Sequence, residues 1–233
     1  MTRINKYLAE HYPITRKQAD NLITQKKVFV NGRLAQIGQA IGNTDKVEIT
    51  ELEKLAQYKY FILNKPKGIA TLKSTPNERD IYSIVKLPFK TFPVGRLDKM
   101  SSGLILLTND GRLGDKLLNP NNSHQKEYIV TTDKTVNGDH VKRLSKGLML
   151  EGGYKTKKAT VVQSNDKEFH ITLTEGKKHQ IRRMCAKLGL QVVKLERVRI
   201  NTLKLEDFAL QSGDFAQITG DVLTEFLNTI NFK

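Results

Sequence analysis

The run Gly103-Leu104-Ile105-Leu106-Leu107-Thr108 is apolar at almost every position and is stopped by the turn residues Asn109-Asp110-Gly111. A short apolar run between turn signals suits a strand buried in a sheet. Tyr60-Phe61-Ile62-Leu63 is a second such run, stopped by Asn64-Lys65-Pro66-Lys67-Gly68. Lys126 to Thr132 alternates as a strand, Phe169 to Thr174 is another, and Val192 to Ile200 is rich in branched residues. Leu113 to Leu118 suits a short helix before Pro120, and Ile181 to Leu188 suits a helix with Gly189 as its cap. Phe92 to Asp98 reads as a loop. Many strands, a few helices and no regular βαβ alternation predict an α+β fold.

Residues 2 to 49 read as a separate small unit. Ile4, Leu8 and His11-Tyr12 have helical spacing, ended by Pro13. Thr15 is a helix N-cap, and Ala19, Leu22 and Ile23 give the next helix, to about Gln25, its apolar side. Val28 to Val30 is a short strand before the tight-turn pair Asn31-Gly32, and Val47 and Ile49 make another. The stretch TELEKLAQ, residues 50 to 57, reads as a linker. The expected division is therefore 1–55 and 56–233.

Charge narrows the function. The 39 basic and 24 acidic side chains leave a formal charge of +15 over 233 residues. A folded chain with that imbalance is suited to a polyanionic partner. No run of 18 apolar residues exists, so no transmembrane helix is expected, and the N-terminus lacks an apolar signal-peptide core. A cytoplasmic protein is the expectation. The single cysteine, Cys185, excludes an internal disulfide and a cysteine-based zinc site. No phosphate-binding GxxxxGK[ST] loop and no G-x-S-x-G elbow occur, so no nucleotide cofactor or metal is expected.

Three segments carry candidate chemistry. Gly95-Arg96-Leu97-Asp98 is a turn in its simplest reading, but it places a carboxylate beside a buried strand with an arginine two residues away. In Lys126-Glu127-Tyr128-Ile129-Val130, Lys126, Tyr128 and Val130 share one face of a strand. Tyr128 is either a core aromatic or a stacking platform for a nucleobase. Glu175 to Met184 (EGKKHQIRRM) is strongly basic, and Lys187, Lys194, Arg197 and Arg199 follow with almost no compensating acids. A solvated helix face explains scattered lysines, whereas a phosphate backbone explains the run.

Together these segments resemble the bacterial ribosomal RNA pseudouridine synthases of the RsuA/RluB/RluE/RluF family. The motifs are VGRLDK with SSGLILLTNDG, then KEYIV, then EGKKHQIRRM with KLERVRI beyond it. Residues 2 to 49, with RINKYLAEHYPITRKQADNLITQKKVFVNGR at 3–33, resemble an S4 RNA-binding domain. The tracts NNSHQKEYIVTTDK and HQIRRMCAKLGLQVVKLERVRI are most similar to the 23S rRNA synthase F branch.

The resemblance implies a catalytic domain with a mostly antiparallel mixed sheet, and isomerisation of uridine in RNA without a cofactor. It implies that Asp98 is the catalytic carboxylate, attacking the sugar or uracil or taking a proton. It implies that Arg182 is the arginine that pairs with that carboxylate, and that Tyr128 stacks on the base. Leu195 is then the apolar floor of the uracil pocket. Arg96 fills the space the flipped base leaves or holds its phosphate. Lys126, Lys177, Lys178 and Arg183 are the remaining substrate contacts. Arg3, Lys6, Arg16, Lys17, Lys26, Lys27 and Arg33 are the RNA contacts of the N-terminal unit. The expected partner is a structured ribosomal RNA stem-loop, bound by a monomer. The chain ends at Asn231-Phe232-Lys233, so no RNA contact from a longer basic tail is expected. A non-catalytic S4-type RNA-binding protein, or a synthase acting on 16S rRNA or transfer RNA, fits the composition equally. Only catalysis calls for Asp98, Tyr128 and Arg182 together.

Overall fold

A computed structural model of the chain describes residues 1–12, 14–50, 58–119 and 122–232. Pro13, Pro120, residues 51–57 of the expected linker and the expected division between 55 and 56 lie outside the described residues.

The N-terminal unit holds β1 (Thr2–Arg3), α1 (Ile4–His11), α2 (Arg16–Thr24), β2 (Val28–Val30), β3 (Arg33–Leu34), β4 (Ala40–Ile41) and β5 (Val47–Ile49). Ile4, Leu8, Ala19, Ile23, Val28 and Val30 form its own apolar core. Thr15 does cap α2: its hydroxyl accepts from the Gln18 amide at 3.2 Å, and the Gln18 side chain accepts from the Thr15 amide at 2.7 Å. That reciprocal pair satisfies two otherwise orphaned donors. Asn31 and Gly32 both take positive φ, 50° and 77°, which lets β2 fold back on β3. The order β3-β2-β5 completes a small antiparallel sheet.

The larger unit contains β6 (Tyr60–Lys65), β7 (Phe92–Val94), β8 (Ser102–Thr108), α3 (Gly111–Leu118), β9 (Lys126–Thr132) and α4 (Gly138–Lys146). Next come β10 (Thr160–Asn165), β11 (Glu168–Leu173), α5 (Gln180–Ala186), β12 (Val192–Ile200), β13 (Leu203–Lys204), β14 (Phe215–Gln217) and α6 (Gly220–Thr229). Seven strands lie in the order β10-β11-β9-β12-β8-β6-β14, with β13 added on β12 and β7 on β8. Among the described residues, the only parallel pairing within this sheet is β12 with β8; the fold is α+β with a mixed, mostly antiparallel sheet. Phe92 to Val94 is thus a strand and not the start of the expected loop.

β8 is apolar on both sides because it is covered on both. Ile105 and Leu107 enter one core with Phe61, Leu63, Val130 and Ile181. Leu104 and Leu106 enter a second with Ile62, Leu113, Leu117 and Phe226, beneath α3 and α6.

One edge of β8 pairs with β6 from Gly103 to Thr108. Its other edge is shared: β12 meets it only at Ser102 and Gly103, and β7 takes over from Leu106 to Thr108. The β7–β8 connection, residues 95 to 101, therefore turns back beside the point where β12 departs from β8. Gly103 sits at that point with φ +100°, and a Cβ there would lie 2.2 Å from the Arg197 carbonyl oxygen. Only glycine lets β12 approach this closely.

Candidate active site

The β7–β8 connection carries Asp98, and its backbone is held from several sides. Gly95 opens it with φ 83°. Leu97 points into the core. The Thr71 hydroxyl donates to the Leu97 carbonyl at 2.7 Å and accepts from its amide at 2.9 Å. Gly68 donates from its amide to the Lys99 carbonyl at 2.8 Å, and Ser101 to the Asp98 carbonyl at 2.9 Å. Asp98 is thereby fixed while its carboxylate stays partly exposed to a cavity of about 520 Å³. That volume lies in the usual range for a small-molecule or nucleotide site.

Tyr128 from β9 and Leu195 from β12 line the same cavity, as do Arg96, Lys177 and Lys178. Tyr128 and Leu195 are also members of the apolar core beneath it. The cavity is apolar on its sheet side and cationic at its rim, where Arg96, Lys177 and Lys178 are exposed. Lys126 lies apart, in a smaller cavity on the other side of Tyr128.

The charge partner of Asp98 differs from the expectation. The Arg182 guanidinium donates to the Met100 carbonyl at 3.0 Å, the Val192 carbonyl at 3.1 Å and the Ser101 hydroxyl at 3.4 Å. It braces the Asp98 loop against α5 and β12. The group facing Asp98 is His179, whose Nε2 lies 3.5 Å from Asp98 Oδ1. His179 takes a left-handed backbone conformation (φ 53°, ψ 29°) at the start of α5, and its side chain does not cap the helix. The spacing of EGKKHQIRRM carries no sign of that backbone, so in the linear chain His179 reads as an ordinary histidine.

Lys65 is another residue the sequence concealed behind a turn signal. It ends β6 with no exposed surface and donates to the Pro66 and Ile69 carbonyls at 2.8 and 2.6 Å. Burial pushes its pKa down to about 8, with the nearby Asp98 opposing that fall and Arg197 adding to it.

The basic run after Glu175 is not one uniform strip. Arg197 is buried, Arg199 pairs with Glu127 at 2.7 Å, and Lys194 pairs with Glu196 at 2.7 Å. Glu127, on β9, is far from Arg199 in the linear chain, whereas Glu196 stands two residues from Lys194 within β12. Arg183 donates to the Glu151 carbonyl at 2.7 Å. Glu175 is buried and accepts hydrogen bonds from the Tyr154 hydroxyl, the Gln180 amide group and, at 3.0 Å, the Lys157 backbone. In the N-terminal unit, Arg3, Lys6, Arg16, Lys17, Lys26 and Arg33 are exposed and Lys27 is half-buried. Lys6 pairs with Glu10 at 3.6 Å.

A carboxylate presented on a clamped loop to an aromatic and aliphatic pocket, with exposed Arg96, Lys177 and Lys178 at its rim, suits an enzyme acting on a base within a polyanion. Residues 59–187 match the RNA pseudouridylate synthase family, and residues 2–45 match the S4 domain. The chain belongs to the RNA pseudouridylate synthase family. It is 38% identical to the dual-specificity RNA pseudouridine synthase RluF of Escherichia coli K12, over 98% of this chain and 79% of that one. It is 32% identical to the ribosomal small subunit pseudouridine synthase A of Pasteurella multocida, over 96% of this chain and 99% of that one. A solved pseudouridylate synthase superposes with a TM-score of 0.72 at 30% identity, covering 99% of this chain and 100% of that one.

Proposed function

We propose that the chain converts uridine to pseudouridine at one structured stem-loop of 23S ribosomal RNA, acting as a cytoplasmic monomer. The observation that carries this reading is the cavity in which Asp98 faces Tyr128 and Leu195. A uracil flipped from its stack enters that cavity and lies against Tyr128 and Leu195. Asp98 then either attacks the sugar or uracil or removes a proton. The glycosidic C–N bond breaks, the uracil rotates in place, and a C–C bond forms. Nothing is oxidised and no group is imported.

The His179 imidazole faces Asp98, and Arg182 acts as a positioning residue through Met100 and Ser101. Arg96, Lys177, Lys178 and Arg183 hold the RNA near the pocket. The N-terminal domain, divided from the catalytic domain at about residue 55, docks on the surrounding RNA through Arg3, Lys6, Arg16, Lys17, Lys26, Lys27 and Arg33. Docking of that kind raises the effective concentration of the catalytic site at its target.

An RNA substrate is supported by the match, across nearly the whole chain, to relatives named dual-specificity RNA pseudouridine synthase RluF. The choice of 23S rRNA follows the resemblance of NNSHQKEYIVTTDK and HQIRRMCAKLGLQVVKLERVRI to the F branch. Pseudouridine mapping of total RNA from cells with and without the gene tests it. The expected result is loss of modification at one 23S stem-loop uridine. Loss confined to 16S or transfer RNA, or no loss, contradicts the assignment.

A further inference from the structure

Beyond Tyr128 lies a second cavity, of about 230 Å³, whose wall is shared with the first at Arg96, Tyr128, Glu175, Gly176 and Lys177. Its lining is unusually cationic: Arg96, Lys126, Lys157, Lys177 and Arg197 all border it. We propose that this cavity is a subsite for one phosphodiester of the RNA, adjacent to the nucleotide whose base occupies the Asp98 cavity.

Three observations support it. Arg197 is only 2% exposed, donates through Nε to the Leu104 carbonyl at 2.8 Å, and among the described residues leaves its buried Nη2 without a hydrogen-bond partner. Buried charges in folded proteins are ordinarily paired, so an unpaired one implies an absent counter-ion. Lys126 lies next to it, and among the described residues its hydrogen-bond partner is the His124 carbonyl alone, at 3.2 Å. Burial, with a further contribution from Arg197, pushes the Lys126 pKa down to about 8. An anion in the cavity relieves that repulsion and stabilises the charged lysine.

The one carboxylate in the lining does not fill this role. Glu175 is tied to the Tyr154 hydroxyl, the Lys157 amide and Gln180. Lys177 lies over the Tyr154 ring, 4.9 Å from its centroid. The exposed Arg96, Lys157 and Lys177 form the mouth, and buried Arg197 with half-buried Lys126 supplies the field behind it. Adjacency is what makes the ligand a phosphodiester: a base in the first cavity brings its own backbone to the shared wall.

This inference rests on the proposed RNA reaction, and its test is separable from it. Inorganic phosphate is titrated into the full-length protein at constant ionic strength, reading the arginine Nε–H resonances, with Arg197 assigned from R197K. The expected result is a saturable shift of the Arg197 resonance, at least tenfold weaker in K126M and several-fold weaker in K157M. Lys157 is exposed, so K157M decides the matter if K126M does not fold. An unmoved Arg197 resonance, or equal affinity in wild type and K157M, overturns the subsite.

The RNA arm uses the stem-loop found by mapping, with a neutral methylphosphonate at each linkage beside the target uridine. One linkage should weaken wild-type binding about tenfold and add nothing to the loss in K157M. No sensitive linkage overturns the proposal even if free phosphate binds. Retained product formation by D98N bears on the catalytic reading alone and leaves both binding results intact.

Discussion

At the scale of single residues, the site is governed by which charges are buried and which are answered. Lys65 illustrates the cost. Its pKa is held near 8, against 10.5 for an ordinary lysine, chiefly by burial. Between those two values the unfolded chain keeps a proton that the folded chain has lost, so this group makes stability rise with pH. Urea unfolding from pH 8.5 to 9.5 should therefore show a slope that flattens in Lys65→Met, by up to ~1.4 kcal/mol per pH unit. Parallel slopes would show that Lys65 is charged throughout.

Thr71 is a second test. Its hydroxyl serves both the amide and the carbonyl of Leu97. Thr71→Val keeps the shape and strands both groups, costing about 2 kcal/mol. The loosened Asp98 loop should lower kcat about tenfold or more with RNA affinity unchanged, since misplacement of a reacting group is expensive in rate. An unaltered kcat would show that the loop does not depend on this clamp. That Asp98, Tyr128 and Leu195 belong together in one cavity was legible because each sits in a motif whose neighbours resemble a known family. The His179–Asp98 contact and the burial of Lys65 were not, because both depend on tertiary placement and, for His179, on a left-handed backbone.

At the scale of elements, legibility followed hydrophobic pattern. β6, β8, β9, β11 and β12 announce themselves by apolar runs or alternation, since each contributes to a core. α4 carries little hydrophobic signal because only Leu144 of its nine residues is buried. β10 likewise carries little, because five of its six residues are exposed. β7 carries a loop-like signal because it is three residues long with a central proline. The division of the β8 edge between β12 and β7 is invisible in a linear pattern, yet it sets where the Asp98 loop lands. Gly103 guards that junction. Gly103→Ala forces a Cβ to 2.2 Å from the Arg197 carbonyl at a φ of +100°. The expected loss of stability is about 3 kcal/mol or more, read by urea denaturation. A loss below about 1 kcal/mol would mean that β12 moves aside freely.

At the scale of the whole molecule, the excess of +15 is distributed rather than concentrated. Some of the basic side chains are spent on internal pairs, such as Arg199 with Glu127 and Arg112 with Asp110. Others ring the Asp98 cavity or stand exposed on the N-terminal unit, whose helix α1 lies near α3 of the catalytic unit. If several of these meet phosphates at once, the logarithm of RNA affinity should fall against the logarithm of salt with a slope of about −3 or steeper. A flat response would contradict docking through the basic surface.

Most direct of all is Asp98→Asn, assayed on the mapped stem-loop under single-turnover conditions with binding measured alongside. The expected result is no detectable pseudouridine and RNA affinity within about threefold of wild type, a difference of under ~1 kcal/mol. Product formation at a rate near that of wild type would contradict the assignment of Asp98 as the reacting carboxylate.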